Sequence, residues 1–368
     1  MRLSQRYGIC FADTATAEFN LCHFVDDSAG THLETLIVQT MPKEIVFPKG
    51  GLSRETMAVI KQSVGGAQFS PLVPEQQFWD ASTTVTNLEL GKYFANRPAD
   101  SGAEDAAAAA GVGSYPLWPA ALREAIDVPL MMSAFGGLVS YFRTLLLDEN
   151  LLGQGTFRPY DPLQHGASLL LDGQTLQNLE ILENNVDRGR KGTLLSLLCH
   201  CSSPFGRRLF HRWLCHPLRN VGEIEDRLGA VEDLAGAPAL TATMKKLLKA
   251  TPDLERLLSR VHVGTCKFAE FVALLEALQE IRRTLGDAQD EITALQSPRL
   301  RRLLTVGEAG ALFPDLAAPL QALGTMFDLK LAKRSGQVLP SRGVDAEYVV
   351  WPHGCAGVWR RCCCCCCC

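Results

Sequence analysis

Apolar residues near the amino terminus occur in short runs separated by polar turns. Residues 7–12 and 19–24 are two such runs, and the polar stretch from Asp13 to Glu18 joins them. Runs of this length, bounded by turn residues, are typical of paired β-strands. The elements predicted next are a helix at 32–39, a strand at 44–47, a helix at 53–63 and a strand at 68–73. This alternation predicts a mixed α/β domain.

A longer helix is predicted towards the end of this domain. Apolar side chains recur from Leu130 to Leu145 at helical spacing, and Gly136-Gly137 within them would allow a close approach of another part of the chain. We predict a first domain over residues 1–150, a low-complexity insertion loop at 100–113 and a linker at 151–167.

The pattern becomes helical from residue 171 to about residue 331. Ser203-Pro204 and Thr251-Pro252 each place a capping hydroxyl before a proline, which is typical of a helix start. The apolar stripe predicted after Ser203 contains Phe205, Leu209, Trp213 and Leu214, and further stripes follow Thr251 and continue to Phe327. The sequence therefore predicts an all-α domain over residues 168–348.

Residues 349–368 do not continue this pattern. They contain two tryptophans and end in seven consecutive cysteines, Cys362 to Cys368, without the spacing of a metal site. We interpret them as an irregular, aberrant tail. A cysteine-rich metal-binding tract is the alternative interpretation.

Composition and charge narrow the possible classes of protein. The 368 residues carry 36 Lys and Arg against 40 Asp and Glu, a formal net charge of -4, which argues against an autonomous nucleic-acid binder. No apolar run approaches the roughly 20 residues that span a bilayer, and the amino terminus lacks a signal-peptide pattern. We therefore expect a cytosolic or nuclear protein with mostly reduced core cysteines.

Basic residues are concentrated in one segment. Between residues 186 and 220, seven basic residues face one acidic residue, Asp187, giving a local charge of +6. The candidate contact residues are Arg188, Arg190, Lys191, Arg207, Arg208 and Arg212, with Arg219 as the seventh basic residue. Such a cluster can contact phosphates. Pairing with acids or carbonyls of neighbouring helices explains it at least as well.

Carboxylates near the predicted strands suggest an alternative, a metal-dependent nuclease. Two-metal chemistry needs several carboxylates around the ions, and the candidates are Asp13, Asp26, Asp27 and Asp80. Their spacing is not diagnostic, since aspartates are also common in turns after strands.

Histidines and cysteines cluster along the basic segment. His200, His211 and His216 lie near Cys199, Cys201 and Cys215 in the sequence. The single-residue gap in Cys199-x-Cys201 is shorter than in zinc knuckles, so core or interface roles are favoured. No Gly-x-Ser-x-Gly elbow supports hydrolase chemistry.

Several ordered blocks resemble the MutS mismatch repair family. The core of that family is similar to residues 171–180 (LDGQTLQNLE), 191–195 (KGTLL), 203–209 (SPFGRRL) and 213–218 (WLCHPL), and its lever helices to 227–234 and 252–260. Upstream, residues 7–14 (YGICFADT), 49–56 (KGGLSRET), 77–81 (QFWDA) and 135–138 (FGGL) resemble the branch of large mismatch-recognition subunits in eukaryotic MutS-alpha.

The resemblance implies a fold and a function. It implies an RNase-H-like α/β connector followed by an all-α lever, as a fragment that relays ATP-driven changes to a DNA clamp. The implied partners are a MutS-homologue small subunit in a heterodimer, mismatched duplex DNA and MutL-type repair factors, in the nucleus and without a membrane.

Two family features are not expected in this chain. The sequence contains no G-x-x-x-x-G-K-[ST] phosphate-binding loop, so ATP and Mg²⁺ are assigned to a family ATPase domain elsewhere, and this chain is not predicted to be an enzyme. Phe268-Ala269-Glu270 matches the family's mismatch-reading Phe-x-Glu, but its place in a lever helix predicts a packing role. A standalone helical adaptor is the remaining alternative.

Overall fold

The computed structural model describes residues 5–64, 66–95, 115, 117–161, 168–169, 171–307, 310–326, 348–350 and 356–358. The chain divides into two compact units, one of residues 1–224 with 262–264 and the other of residues 225–261 with 265–368. The division lies inside the helical segment, whereas the predicted linker at 151–167 lies within the first unit.

The first sheet begins with the predicted hairpin. Strands β1 (Gln5–Asp13) and β2 (Glu18–Asp26) pair antiparallel along their whole length. The turn between them is closed by Asp13, whose carboxylate accepts a hydrogen bond from the Ala15 backbone N–H at 2.9 Å. Strand β5 (Thr156–Pro159) lies parallel to β2 on its other edge.

Strand β5 corrects the predicted linker. Residues 151–167 were expected to connect two domains, yet Thr156–Pro159 completes the first sheet and Phe157 is buried against Phe19. The four-residue strand ends in a proline and carries an exposed arginine, so its local pattern resembles a loop. Pairing with β2 is what makes it a strand.

The second sheet has two parallel strands, β3 (Glu44–Pro48) and β4 (Gln68–Leu72). Helix α1 (Thr31–Thr40) precedes β3, and helix α2 (Arg54–Ser63) connects the two strands. Ser53 caps α2 by accepting a hydrogen bond from the Thr56 N–H. Each of these four elements confirms a pattern predicted from the sequence.

Four further helices lie in the described residues of the α/β part. They are α3 (Ala81–Gly91), α4 (Ala120–Ala125), α5 (Pro129–Thr144) and α6 (Asp148–Gln154). Helix α5 packs on β1 and α3, and its Phe135 meets Phe19 edge to face. Gly136 permits this packing, because a Cβ there would lie 1.9 Å from the Thr84 hydroxyl oxygen.

The rest of the described chain is helical, as predicted, up to residue 326. The helices are α7 (Gly173–Asn178), α8 (Leu194–Leu198), α9 (Pro204–Cys215), α10 (Val221–Gly236), α11 (Pro238–Ala250), α12 (Leu254–Val263), α13 (Phe268–Asp287), α14 (Gln289–Thr293), α15 (Pro298–Leu304) and α16 (Ala317–Met326). Residues 179–193 form turns instead of a helix.

The two predicted helix caps have different outcomes. Ser203 caps α9 by accepting a hydrogen bond from the Gly206 N–H, as expected. Thr251 instead ends the preceding helix α11, where its hydroxyl donates to the Leu247 carbonyl. The Asp253 carboxylate accepts from the Arg256 N–H at the start of α12, so the prediction for Thr251 is wrong by two residues.

The second unit has its own apolar core. Leu240 of α11, Leu285 of α13 and Ile292 of α14 are buried together. A smaller cluster joins Leu275 of α13 to Leu320 of α16. The burial of Leu275, Leu285 and Leu320 confirms the apolar stripes predicted on α13 and α16, whereas the parts of α11 and α14 in the core were not predicted.

The predicted irregular tail contains regular structure. Strands β6 (Tyr348–Val350) and β7 (Ala356–Val358) pair antiparallel, which corrects that prediction for these residues. The predicted insertion loop at 100–113 and the cysteines Cys362 to Cys368 lie outside the described residues. Within the described residues, every helix is too short or too polar to cross a membrane.

Candidate interaction surface

The basic segment, residues 186–220, overlaps at its start with a turn-rich loop. This loop consists of residues 179–193, and we call it the basic loop. The Asn184 side chain holds it together: its Oδ1 accepts from the backbone N–H groups of Val186 and Asp187, and its Nδ2 donates to the Lys191 carbonyl. Asp187 Oδ1 accepts from the Gly189 N–H, which lowers the pKa of that carboxyl. The loop is therefore ordered by its own hydrogen bonds.

The six candidate basic residues fall into two groups. Arg188, Arg190 and Lys191 are exposed on the basic loop. Arg207, Arg208 and Arg212 lie on α9. Arg207 Nε donates to the Cys201 carbonyl at 3.5 Å, which is a weak hydrogen bond. Each group presents positive charge from a different element.

The two groups meet at His211 of α9. Burial lowers the pKa of His211, and the nearby guanidinium groups of Arg190 and Arg212 lower it further. The pKa of His216 is lowered by burial, followed by Arg212 and His211. His211 Nε2 is buried and forms no hydrogen bond to any residue that the structure describes. Folding thus brings a guanidinium of each group close enough to His211 to lower its pKa.

A cavity opens beside the basic loop. It has a volume of about 270 Å³ and lies between the carboxyl ends of α1 and α2 on one side and α7 with the basic loop on the other. Its apolar floor consists of Val38, Leu176 and Leu182, all buried. Arg188 and Arg190 stand at its rim. The sequence showed no signal for this cavity, because its walls come from segments more than 100 residues apart.

The candidate nuclease carboxylates are not gathered into one site. Asp26 is buried and accepts hydrogen bonds from the backbone N–H groups of Asp27, His32 and Leu33. Hydrogen bonds from Thr31 lower the pKa of Asp27, and those from Thr83 lower the pKa of Asp80. Asp13 closes the first hairpin. Each carboxylate therefore serves its own turn or helix start, and the nuclease alternative finds no support.

The histidine and cysteine cluster is also dispersed. Cys215 is buried in an apolar cluster with Leu176, and burial raises its pKa to about 12. Cys201 and Cys199 are close to each other, and burial followed by Cys199 raises the pKa of Cys201. Across the described part of the chain, no three His, Cys, Asp or Glu side chains are placed to hold a metal ion.

The Phe-x-Glu tripeptide forms a helix start. Glu270 accepts a hydrogen bond from the Lys267 backbone N–H and pairs with Arg260. The Lys267 hydrogen bond lowers the pKa of Glu270, followed by the Arg260 contact. Phe268 itself is only partly buried, so the packing role predicted for it stays a prediction.

Several apolar residues are exposed in this region. Helix α8 contains no buried residue, and Leu197 is 69% exposed. On α9, Leu209 and Trp213 are 46% and 40% exposed, and Cys215 alone among the α9 residues is buried. The apolar stripe predicted on α9 is therefore partly exposed at Leu209 and Trp213, whereas Leu214 packs against the cluster that contains Cys215.

In the described residues, these features define a two-part protein, an α/β domain followed by packed helices, with basic and apolar surfaces. Residues 2–153 match MutS domain II, and residues 174–330 match MutS domain III. The chain belongs to the MutS family of DNA mismatch repair proteins.

The relatives come from several kingdoms. The chain is 33% identical to DNA mismatch repair protein Msh6 of Homo sapiens over 400 residues, covering 94% of the chain and 28% of that protein. It is 32% identical to MSH6 of Saccharomyces cerevisiae, covering 93% and 26%, and 26% identical to the bacterial MutS of Pelotomaculum thermopropionicum, covering 88% and 32%. The chain thus spans less than a third of the length of these relatives.

Proposed function

We propose that this chain supplies the connector and lever parts of a mismatch repair protein, and that its task is mechanical transmission. The observation that supports the proposal is the succession of MutS domains II and III along one chain, over the α/β and the helical parts respectively. In the family, these parts stand between the ATPase and the DNA clamp.

Helix packing in the second unit suits this task. Helix α13 has 20 residues, which at 1.5 Å per residue gives a rod of about 30 Å. Its buried residues Leu275 and Leu285 lie in separate apolar clusters, ten residues apart along the rod. Packed helices adopt discrete arrangements, so a shift at one cluster is passed along a stiff helix to the other.

The proposal extends to the setting of the chain. The α/β part takes the RNase-H-like connector fold of the family. The chain acts in the nucleus, within a heterodimer with a MutS-homologue small subunit on mismatched duplex DNA, and MutL-type factors are recruited afterwards. The names of the relatives support these assignments, since they are DNA mismatch repair proteins.

ATP and Mg²⁺ belong to the family ATPase domain in this proposal. The residues of this chain do not fit such a site, because the sequence lacks the phosphate-binding loop motif. We therefore expect the purified chain neither to hydrolyse ATP nor to distinguish mismatched from matched duplexes.

The six basic residues serve contacts with DNA or with neighbouring domains. In a direct phosphate contact, each lysine or arginine contributes to the salt dependence of binding, so one substitution lowers the slope of log K against log salt by about 1. Equal binding by wild type and by variants at Arg207 and Arg212 would assign these two residues to contacts between domains.

A chimera tests the transmission role. The part of yeast MSH6 aligned with residues 2–330 is replaced by this chain's residues, and the mutation rate is measured in cells lacking their own MSH6. We expect the chimera to lower the mutation rate towards that of the wild type. A matched chimera carrying Leu240→Asp, which places a charge in the helical core, should fail.

One outcome would contradict transmission by these residues. In that outcome the chimera is expressed, pairs with its small subunit and binds mismatched DNA, yet it leaves the mutation rate unchanged and shows no ATP-dependent release from DNA.

A further inference from the structure

The cavity beside the basic loop combines an apolar floor with a cationic rim. Val38, Leu176 and Leu182 are buried at its base. Lys43, Arg188 and Arg190 line it as well and are exposed to solvent. At about 270 Å³, the cavity lies just below the range of roughly 300–1,000 Å³ that holds whole small-molecule ligands, which suits a single inserted side chain.

The rim cations are not neutralised by their surroundings. In the described part of the chain, Lys43, Arg188 and Arg190 form no ion pair, and Glu183 is the single carboxylate in the cavity wall. The carboxyl ends of α1 and α2 each add about half a negative charge. Three full positive charges exceed these contributions, so the rim remains positive.

The basic loop holds its arginines in place before any ligand arrives. Asn184 and Asp187 bond to the backbone on both sides of Arg188. Arg188 itself has a φ of +57°, a left-handed conformation that is unfavourable for a residue with a side chain. Strained residues of this kind occur preferentially at ligand-binding sites, where the strain orients a side chain.

We propose that this cavity binds an acidic linear peptide segment of another protein, which inserts one apolar side chain between α1 and the basic loop while its acidic residues contact Lys43, Arg188 and Arg190. The apolar floor requires a side chain that nucleic-acid phosphates lack, and the rim selects negative charge. This inference goes beyond the proposed transmission role and does not depend on it, and for Arg188 and Arg190 it adds a peptide ligand to the contacts proposed above.

A phage-displayed library of random dodecapeptides provides the probe. The full chain is used for selection, and the most enriched peptide is synthesised with a fluorescein label for anisotropy titrations. We expect enriched sequences to contain Leu, Ile, Met or Phe flanked by Asp or Glu. Replacing that apolar residue by serine should weaken binding of the synthetic peptide several-fold.

Lys191→Gln is the matched control, because Lys191 is exposed on the same loop but does not line the cavity. The double variant Arg188→Gln/Arg190→Gln should weaken the peptide complex about tenfold or more, whereas Lys191→Gln should change the affinity less than about twofold. The variant Arg188→Gly distinguishes an effect on peptide binding from an effect on stability. It relieves the left-handed strain, so its thermal midpoint should not fall, while its affinity for the peptide should.

Three results would overturn the proposal. The first is a selection that yields no enrichment or enriches sequences without acidic residues. The second is an equal loss of peptide affinity in Lys191→Gln and in the double variant. Displacement of the peptide by a 20-bp duplex that is equally efficient for these two variants would count in the same way, because both results indicate a diffuse phosphate-binding surface. The third is a self-associated chain that occupies the cavity and releases the peptide on dimerisation.

Discussion

The α/β part and the helical part of this chain treat their apolar residues differently. In the α/β part, Phe19 and Phe135 are fully buried, and helix α5 presses against α3 so closely that only glycine fits at position 136. In the helical part, Leu228 and Val231 of α10 are each 62% exposed, Leu197 of α8 is 69% exposed and Leu209 of α9 is 46% exposed.

This difference indicates how each part is used. In a core that closes on itself, the loss of one buried side chain leaves a cavity or strains its neighbours. Apolar stripes that remain partly open can be covered by a neighbour, as in interaction surfaces. Substitutions should therefore have large effects in the first part and small ones on the exposed stripes of the second.

The largest expected effect is at Phe135. Phe135→Ala removes a buried ring that packs against Phe19 and Phe157, and should lower the free energy of unfolding by about 3–5 kcal/mol. Leu258→Ala, at a position 50% exposed on α12, should cost less than about 1 kcal/mol. Urea unfolding followed by circular dichroism compares the two. Similar losses would show that the stripes are as well packed as the core.

A pair of glycine substitutions sharpens the comparison at helix interiors. Gly136→Ala drives a methyl group into Thr84 and should destabilise the protein by about 1–3 kcal/mol. Gly229→Ala on α10 meets no atom within 4 Å, so the better helix propensity of alanine should stabilise by about 0.5–1 kcal/mol. Opposite shifts of the thermal midpoint are expected. A loss at Gly229 would mean that α10 has a covered face there.

Substitutions of helix caps should cost about the same stability in both parts of the chain. Ser53 caps α2 and Ser203 caps α9, each by accepting one backbone hydrogen bond. Ser53→Ala and Ser203→Ala should therefore each cost about 1 kcal/mol, measured by chemical denaturation. Alanine at Ser203 that costs nothing would contradict the assigned cap.

The smallest effect concerns pH and His211. Because the pKa of His211 in the folded protein is lower than its ordinary value of 6.5, the unfolded chain binds the proton more tightly. Stability should be highest above pH 6.5 and should fall as the pH drops from there towards the lowered pKa. His211→Gln should make this fall shallower without removing it, since His216 is shifted in the same direction. An unchanged pH profile of the unfolding free energy would place His211 in solvent.

Much of the fold could be predicted because its signals are local. The hairpin of β1 and β2 follows from two apolar runs and a turn, and α13 follows from a long periodic stripe. Thr251 was assigned to the wrong helix because a hydroxyl beside a proline suits either helix end, and the adjacent Asp253 provides the cap. Strand β5 was missed because its pairing partner lies more than 130 residues away.

For the candidate site, the sequence predicted which residues carry positive charge but not how they are arranged. The six basic residues were visible as a local excess of charge. The sequence did not show that these residues divide into a loop group and an α9 group. It also did not show that Arg190 and Arg212 approach His211, or that a cavity lies above Val38. The exposure of Leu209 was also not predicted, since helical periodicity shows that a face is apolar but does not show what covers it.

By itself, the sequence determined the order of most strands and helices, the cap at Ser203 and the family to which the chain belongs, because these depend on neighbouring residues and on ordered motifs. The tertiary structure alone decided that β5 joins β2, that Gly136 lies against Thr84, and that a positive rim surrounds an apolar cavity. Each of these brings together segments far apart in the chain, and such contacts are selected by the packing of the whole and not by any local pattern.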